Sequence, residues 1–103
     1  MYMYAWEYDV DPRYVAEFLA AYGPNGAWVA LFQGQVGYVR TELHRDKTNP
    51  NRYLTLDYWT SAAAWEDFRV ERAEDFERLD EECEKYTLDE REIGRFTPLD
   101  GAS

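Results

Sequence analysis

The sequence predicts a single α+β domain, one antiparallel sheet with helices laid across it, and three observations carry that reading. Strand and helix periodicities alternate along the 103 residues in the order strand, helix, strand, strand, helix, strand. Cap and turn residues stand at the boundaries between them. In RYLTLDYWTSAAAWEDF, residues 52–68, a strand runs directly into a helix and carries large side chains on both of its faces. A strand with one wet face alternates apolar with polar, so this sheet needs cover on both sides.

The first strand is residues 2–10, YMYAWEYDV, with Tyr2, Tyr4, Trp6, Tyr8 and Val10 sharing a face. Asp11 then stands as an N-cap, and Pro12 takes the first helical position, where its missing N–H costs nothing. Tyr14, Val15, Phe18, Leu19 and Tyr22 form one stripe along the helix that follows. Gly23 is expected to end it as a left-handed glycine past the last turn, with Pro24 behind it. GPNGAWVALF supplies a turn and a short apolar stretch in which Trp28, Leu31 and Phe32 share a side.

Gly34 and Gly37 flank the entry to the second strand, VGYVRTELHRD. Strict alternation there puts Tyr38, Arg40, Glu42 and His44 on one face and Val39, Thr41 and Leu43 on the other. The polar turn KTNPN, residues 47–51, sends the chain back antiparallel into the third strand. Ser61 caps the next helix, whose apolar positions are Trp65, Phe68, Phe76, Leu79, Cys83 and Tyr86, with a break expected near residues 70–73. EREIGRF, residues 90–96, reads as the last strand. The domain is therefore expected over residues 1–96, with a loose tail over residues 97–103.

This order is the ferredoxin-like βαββαβ arrangement, which puts both helical layers on one face of a four-stranded antiparallel sheet. Leu54, Leu56 and Tyr58 are assigned to the helix side, and Tyr53, Thr55, Asp57 and Trp59 to the open side. An open side of that kind calls for a second sheet, so a homodimer closing into a dimeric α+β barrel is expected. Four Trp, nine Tyr and five Phe exceed what a small monomer core takes up, which again points to an interface or a pocket.

Eleven basic against twenty-one acidic residues give a formal charge of -10, which disfavours nucleic acid and anionic membranes as partners. Cys83 is the only cysteine, so no internal disulfide is possible and thiolate metal spacing is absent. The N-terminal residues lack a basic leader and an apolar core segment, and no run reaches membrane-spanning length. A cytoplasmic protein without a metal site is expected. No glycine-rich loop precedes a helix, so no nucleotide cofactor has a seat.

The run GYVRTELHRD, followed by NPNRYLTLDYWTSAAAWEDF, resembles the antibiotic biosynthesis monooxygenase (ABM) family of the dimeric α+β barrel superfamily. The likeness rests on Gly37-Tyr38, Glu42-Leu43 and Trp59-Thr60-Ser61, and spans roughly residues 3–96. It implies a homodimer in which each subunit holds a pocket between sheet and helices. Some members of that family oxidise polycyclic aromatics with molecular oxygen and no cofactor, while others degrade haem or scavenge quinones. The haem-degrading branch uses an Asn on the first strand and a Trp and a His on the second helix. This chain has Trp6 and Phe68 at the first two positions and no histidine in that helix, which argues against haem.

Two polar residues are candidate catalytic groups. His44, the only histidine, could act as a general base or stand in solvent at a strand end. Asp57 sits mid-strand between rings and could take part in chemistry or form an ion pair across the dimer. Trp6, Trp28, Tyr38, Tyr53, Trp59 and Trp65 are candidate walls for a flat aromatic or quinone-like substrate, or else core. Two functions follow: an ABM-like, cofactor-independent monooxygenase, or a non-catalytic dimeric module that binds a small ligand or serves assembly.

Overall fold

The structure is a computed structural model that describes residues 1–99. Of the expected tail, residues 100–103 lie outside the described residues. The elements are β1 (Tyr2–Val10), α1 (Val15–Tyr22), α2 (Ala27–Phe32), β2 (Tyr38–Arg45), β3 (Arg52–Trp59), α3 (Ala62–Glu71), α4 (Ala73–Cys83) and β4 (Thr87–Phe96), with one-turn 3-10 segments at Pro12–Tyr14 and Glu84–Tyr86. The strands form one antiparallel sheet in the order β2-β3-β1-β4, the ferredoxin-like α+β fold.

The caps act as their chemistry dictates. Asp11 accepts from the Arg13 amide and from its guanidinium, fixing the turn into the first helical layer. Ser61 Oγ accepts from the Ala64 amide at 3.1 Å and starts α3. The expected break falls at Arg72, which caps the end of α3 and the start of α4. Gly23, however, has φ -74 and is not left-handed. Glycine suits it because a Cβ there would lie 2.7 Å from the Leu19 carbonyl oxygen.

The face assignment of β3 is reversed in the structure. Tyr53, Thr55 and Trp59 are buried against the helices, while Leu54, Leu56 and Tyr58 are half-buried on the open face. Register explains why: Tyr2, Tyr4, Trp6 and Tyr8 of β1 lie opposite Trp59, Asp57, Thr55 and Tyr53, and cross-strand partners share a face. The rings of both strands then meet Phe18, Phe32, Trp65 and Phe68 in one core, with Trp59 and Phe18 fully buried. Burying those rings removes more apolar area than burying two leucines, so ring area decides which face turns inward.

Alternation also fails in β2. A register shift between Tyr38 and Arg40 carries Tyr38 to the helix face, beside Phe32 and Trp59, while Arg40, Glu42 and His44 stay on the open face. Gly37 makes this entry possible. Its φ is +89, its carbonyl accepts from the Thr60 amide at 2.7 Å, and an added Cβ would meet Ala64 Cβ at 2.4 Å. Gly37→Ala is expected to cost about 1–3 kcal/mol from forced left-handed backbone and overpacking against α3, measured by urea unfolding.

Candidate active site

Between sheet and helices lies a cavity of about 500 Å³, within the range of small-molecule sites. Its floor is sheet: Tyr4, Trp6 and Tyr8 from β1, Thr41 from β2, and Thr55 and Asp57 from β3. Trp65 and Arg69 of α3 and Phe76 of α4 roof it, and Tyr22, Trp28 and Phe32 close one end. Glu66, Val70, Asp80, Glu90 and Arg95 also border it. Tyr4 and Trp6 stack in parallel, 6.0 Å between centroids and 4° between planes, and Trp65 meets Tyr4 edge-on at 5.0 Å. Those walls suit a planar ring.

One carboxylate stands among these rings. Asp57 Oδ1 accepts from Thr41 Oγ1 at 2.6 Å, and no cation pairs with it among the described residues. The Thr41 hydroxyl has one proton and gives it to Asp57, so the Tyr38 hydroxyl, 2.8 Å away, is the donor to Thr41. The chain Tyr38–Thr41–Asp57 thus fixes one carboxylate oxygen and leaves the other without a hydrogen bond among the described residues. Burial raises the Asp57 pKa to about 6, against a smaller lowering by the Thr41 hydrogen bond. A carboxylate poised there is ionised at neutral pH and basic enough to take a proton.

A second polar pair, Tyr8 OH with Thr55 Oγ1 at 3.0 Å, lies two residues away on the same face of β3. The Trp28 indole N–H is buried with no hydrogen-bond partner among the described residues. Among the described residues no cluster of three His, Cys, Asp or Glu side chains could hold a metal ion.

A family model described as Antibiotic biosynthesis monooxygenase matches residues 1–79. The chain belongs to the antibiotic biosynthesis monooxygenase family. Solved structures agree on the fold. SnoaB from Streptomyces nogalater, a cofactor-independent oxygenase, superposes in a mutant form with TM-score 0.78 at 22% identity over 94% of this chain and 91% of that one. Another antibiotic biosynthesis monooxygenase gives 0.73 at 16% identity, covering 96% and 99%. A conserved protein from Methanosarcina mazei Go1 gives 0.72 at 13% identity, covering 95% and 92%. No curated protein matches the sequence. Among the described residues no helix is long and apolar enough to cross a membrane.

Of the ABM chain's candidate residues, Asp57, Trp6, Trp28 and Trp65 line the cavity together. Trp59 and Tyr53 lie behind its floor in the core, and Tyr38 reaches it only through Thr41. His44 is elsewhere. It is exposed on the open face of the sheet, bonded to Glu42 at 3.1 Å, and borders a smaller depression with Glu7, Asp46 and Arg52. The cause is strand parity: His44 lies opposite Leu54, whereas Thr41 lies opposite Asp57. Sequence reading missed Thr41, Thr55 and Arg69. Thr41 carried a usable signal, a hydroxyl on the strand neighbouring an otherwise unpaired Asp57. Arg69 carried another, its spacing of four from Trp65 on one helix side.

Proposed function

We propose that this ABM chain is a cofactor-independent monooxygenase of a small aromatic or quinone-like compound and works as a homodimer. The observation that supports it best is Asp57, an ionisable carboxylate with no ion-pair partner among the described residues, on the floor of an aromatic cavity. SnoaB, of the same fold, is a cofactor-independent oxygenase, which lends the reading a precedent.

In this reading the substrate lies in the cavity against the rings of Trp6 and Trp65 with an acidic ring C–H toward Asp57. Asp57 takes the proton on one oxygen while Thr41 holds the other. The resulting electron-rich anion reduces molecular oxygen, the second substrate. A ring methylene becomes a carbonyl, one oxygen atom enters that bond, and the other leaves as water with the two hydrogens removed. The rings keep bulk water from the anion while this occurs.

Oxygen uptake by the purified, chelator-treated protein tests this with a panel of polycyclic phenols and hydroquinones. The rate is expected to rise with pH through about 6, as Asp57 ionises, and then to level off. Compounds that bind in the cavity and are never oxidised would make the chain a binding module instead. Uptake indifferent to pH across that range would remove Asp57 from the chemistry.

A further inference from the structure

Arg69 is the one cation bordering the cavity that has no hydrogen bond or ion pair among the described residues, since Arg95 holds Glu92 at 2.9 Å. Its guanidinium lies over the face of Phe76, 3.7 Å from the ring centre, and 5.9 Å from the centre of Trp65. It is half-buried, yet among the described residues it has no hydrogen bond and no ion pair, whereas the other half-buried arginine, Arg72, holds Asp75 at 2.8 Å. Asp80 is near enough to feel its field but does not pair with it. A guanidinium cannot shed its charge, so partial burial without an acceptor is costly, and stacking leaves its planar N–H edge free for one.

We infer that Arg69 receives the anionic oxygen of a phenolate or enolate ligand, opposite the point where Asp57 takes the proton. The inference rests on the reading of the cavity as the oxygenase site and adds the chemical class of what it binds. Deprotonation at the Asp57 floor sends negative charge through the ring to its oxygen, and Arg69 in the roof meets that charge where rings exclude water. The ligand class is neutral on entry and becomes the phenolate or enolate by losing a ring C–H proton to Asp57, with its oxygen held at Arg69. A permanent carboxylate would pass Glu66, Asp80 and Glu90 and then face Asp57, while a neutral ligand meets no such barrier.

Equilibrium binding of three probes decides it: 4-nitrophenol, whose absorbance reports its ionisation, nitrobenzene, and 4-nitrobenzoate. At mildly acidic pH free 4-nitrophenol is neutral and 4-nitrobenzoate is already an anion. There the wild type is expected to bind 4-nitrophenol about tenfold or more tighter than nitrobenzene, the scale of one hydrogen bond to a charged group, with phenolate absorbance appearing on binding. Nitrobenzoate should bind no tighter than nitrobenzene. Arg69→Met, which keeps the apolar stem, should bind nitrobenzene unchanged and lose the preference for nitrophenol. Asp57→Asn should increase that preference by removing the opposing charge. Should Arg69→Met fail to fold, Arg69→Lys serves, and must retain only part of the preference because an ammonium lacks the planar fork.

A preference that survives in Arg69→Met or stays undiminished in Arg69→Lys, or nitrobenzene binding in the wild type with no preference, overturns the assignment of Arg69 while leaving the cavity reading intact. Nitrobenzoate bound as tightly as nitrophenol overturns the ligand class. Binding of none of the three probes to the wild type overturns the cavity reading, and the assignment with it.

Discussion

Asp57→Asn is expected to lower turnover about 10²–10⁴-fold, the usual contribution of a positioned general base, and to make the protein more stable at neutral pH. The two effects have one cause. Asp57 has its pKa raised from 3.8 to about 6, so the folded chain holds that proton more tightly than the unfolded chain does. Such a group favours folding in full below the unfolded value, and its contribution is lost as pH rises through the folded value. A shift of about two pKa units corresponds to roughly 3 kcal/mol.

Above about pH 6 the wild type bears the whole cost of an enclosed carboxylate, and the isosteric amide, which can still accept from Thr41, does not. The variant should match the wild type near pH 3.8 and exceed it by up to about 3 kcal/mol above pH 6. Urea unfolding across that range measures the difference. Glu7 and Asp46 give the opposite slope, since hydrogen bonds to Arg52 and Arg91 in the first case, and to the Thr48 amide and Arg52 in the second, hold their pKa values down. Those contributions cancel between the two proteins. If Asp57→Asn proves less stable at neutral pH, Asp57 is a structural ion and the catalytic reading fails.

This tension between stability and chemistry also explains what the sequence revealed. Element order was legible because Asp11-Pro12, Gly34, Gly37, the KTNPN turn and Ser61 fix chain reversals through local chemistry. Which face of β3 meets the helices was not. Asp57 between large rings suggested an outward face, since a polar residue normally marks solvent, and the leucines looked like core. The signal misled because Asp57 faces a cavity, where an enclosed carboxylate is tolerated at a free-energy cost. The position of Tyr38 was hidden for a different reason: one shift in register at the start of β2 returns it to the helix face, and bulges leave little trace in alternation. For Arg69 the sequence offered its spacing from Trp65 but not its stacking on Phe76, which is a tertiary contact between α3 and α4.

The corrected faces sharpen what is expected of the dimer. The open side of the sheet carries Met3, Ala5, Leu54, Leu56, Tyr58 and Phe96 across neighbouring strands, a continuous apolar strip. Arg40, Glu42 and His44 border it along β2, and Arg52 and Arg91 close on Glu7 at one end. An apolar centre with a polar rim is the anatomy of an interface, and a twofold pair of such sheets is self-complementary. Leu56→Glu puts an uncompensated charge at that centre, so sedimentation should show the dimer weakened by at least 2 kcal/mol, about 30-fold in Kd, with circular dichroism unchanged. Trp59→Ala should act differently although the residue is only three positions away. Trp59 is fully buried against Phe32, Trp65 and Phe68, and truncation should cost about 3–5 kcal/mol of a total that is typically 5–15. Its unfolding midpoint should fall sharply, with any loss of dimer following loss of fold. A wild type that sediments as a stable monomer would leave that strip in water, and the barrel would have to be abandoned.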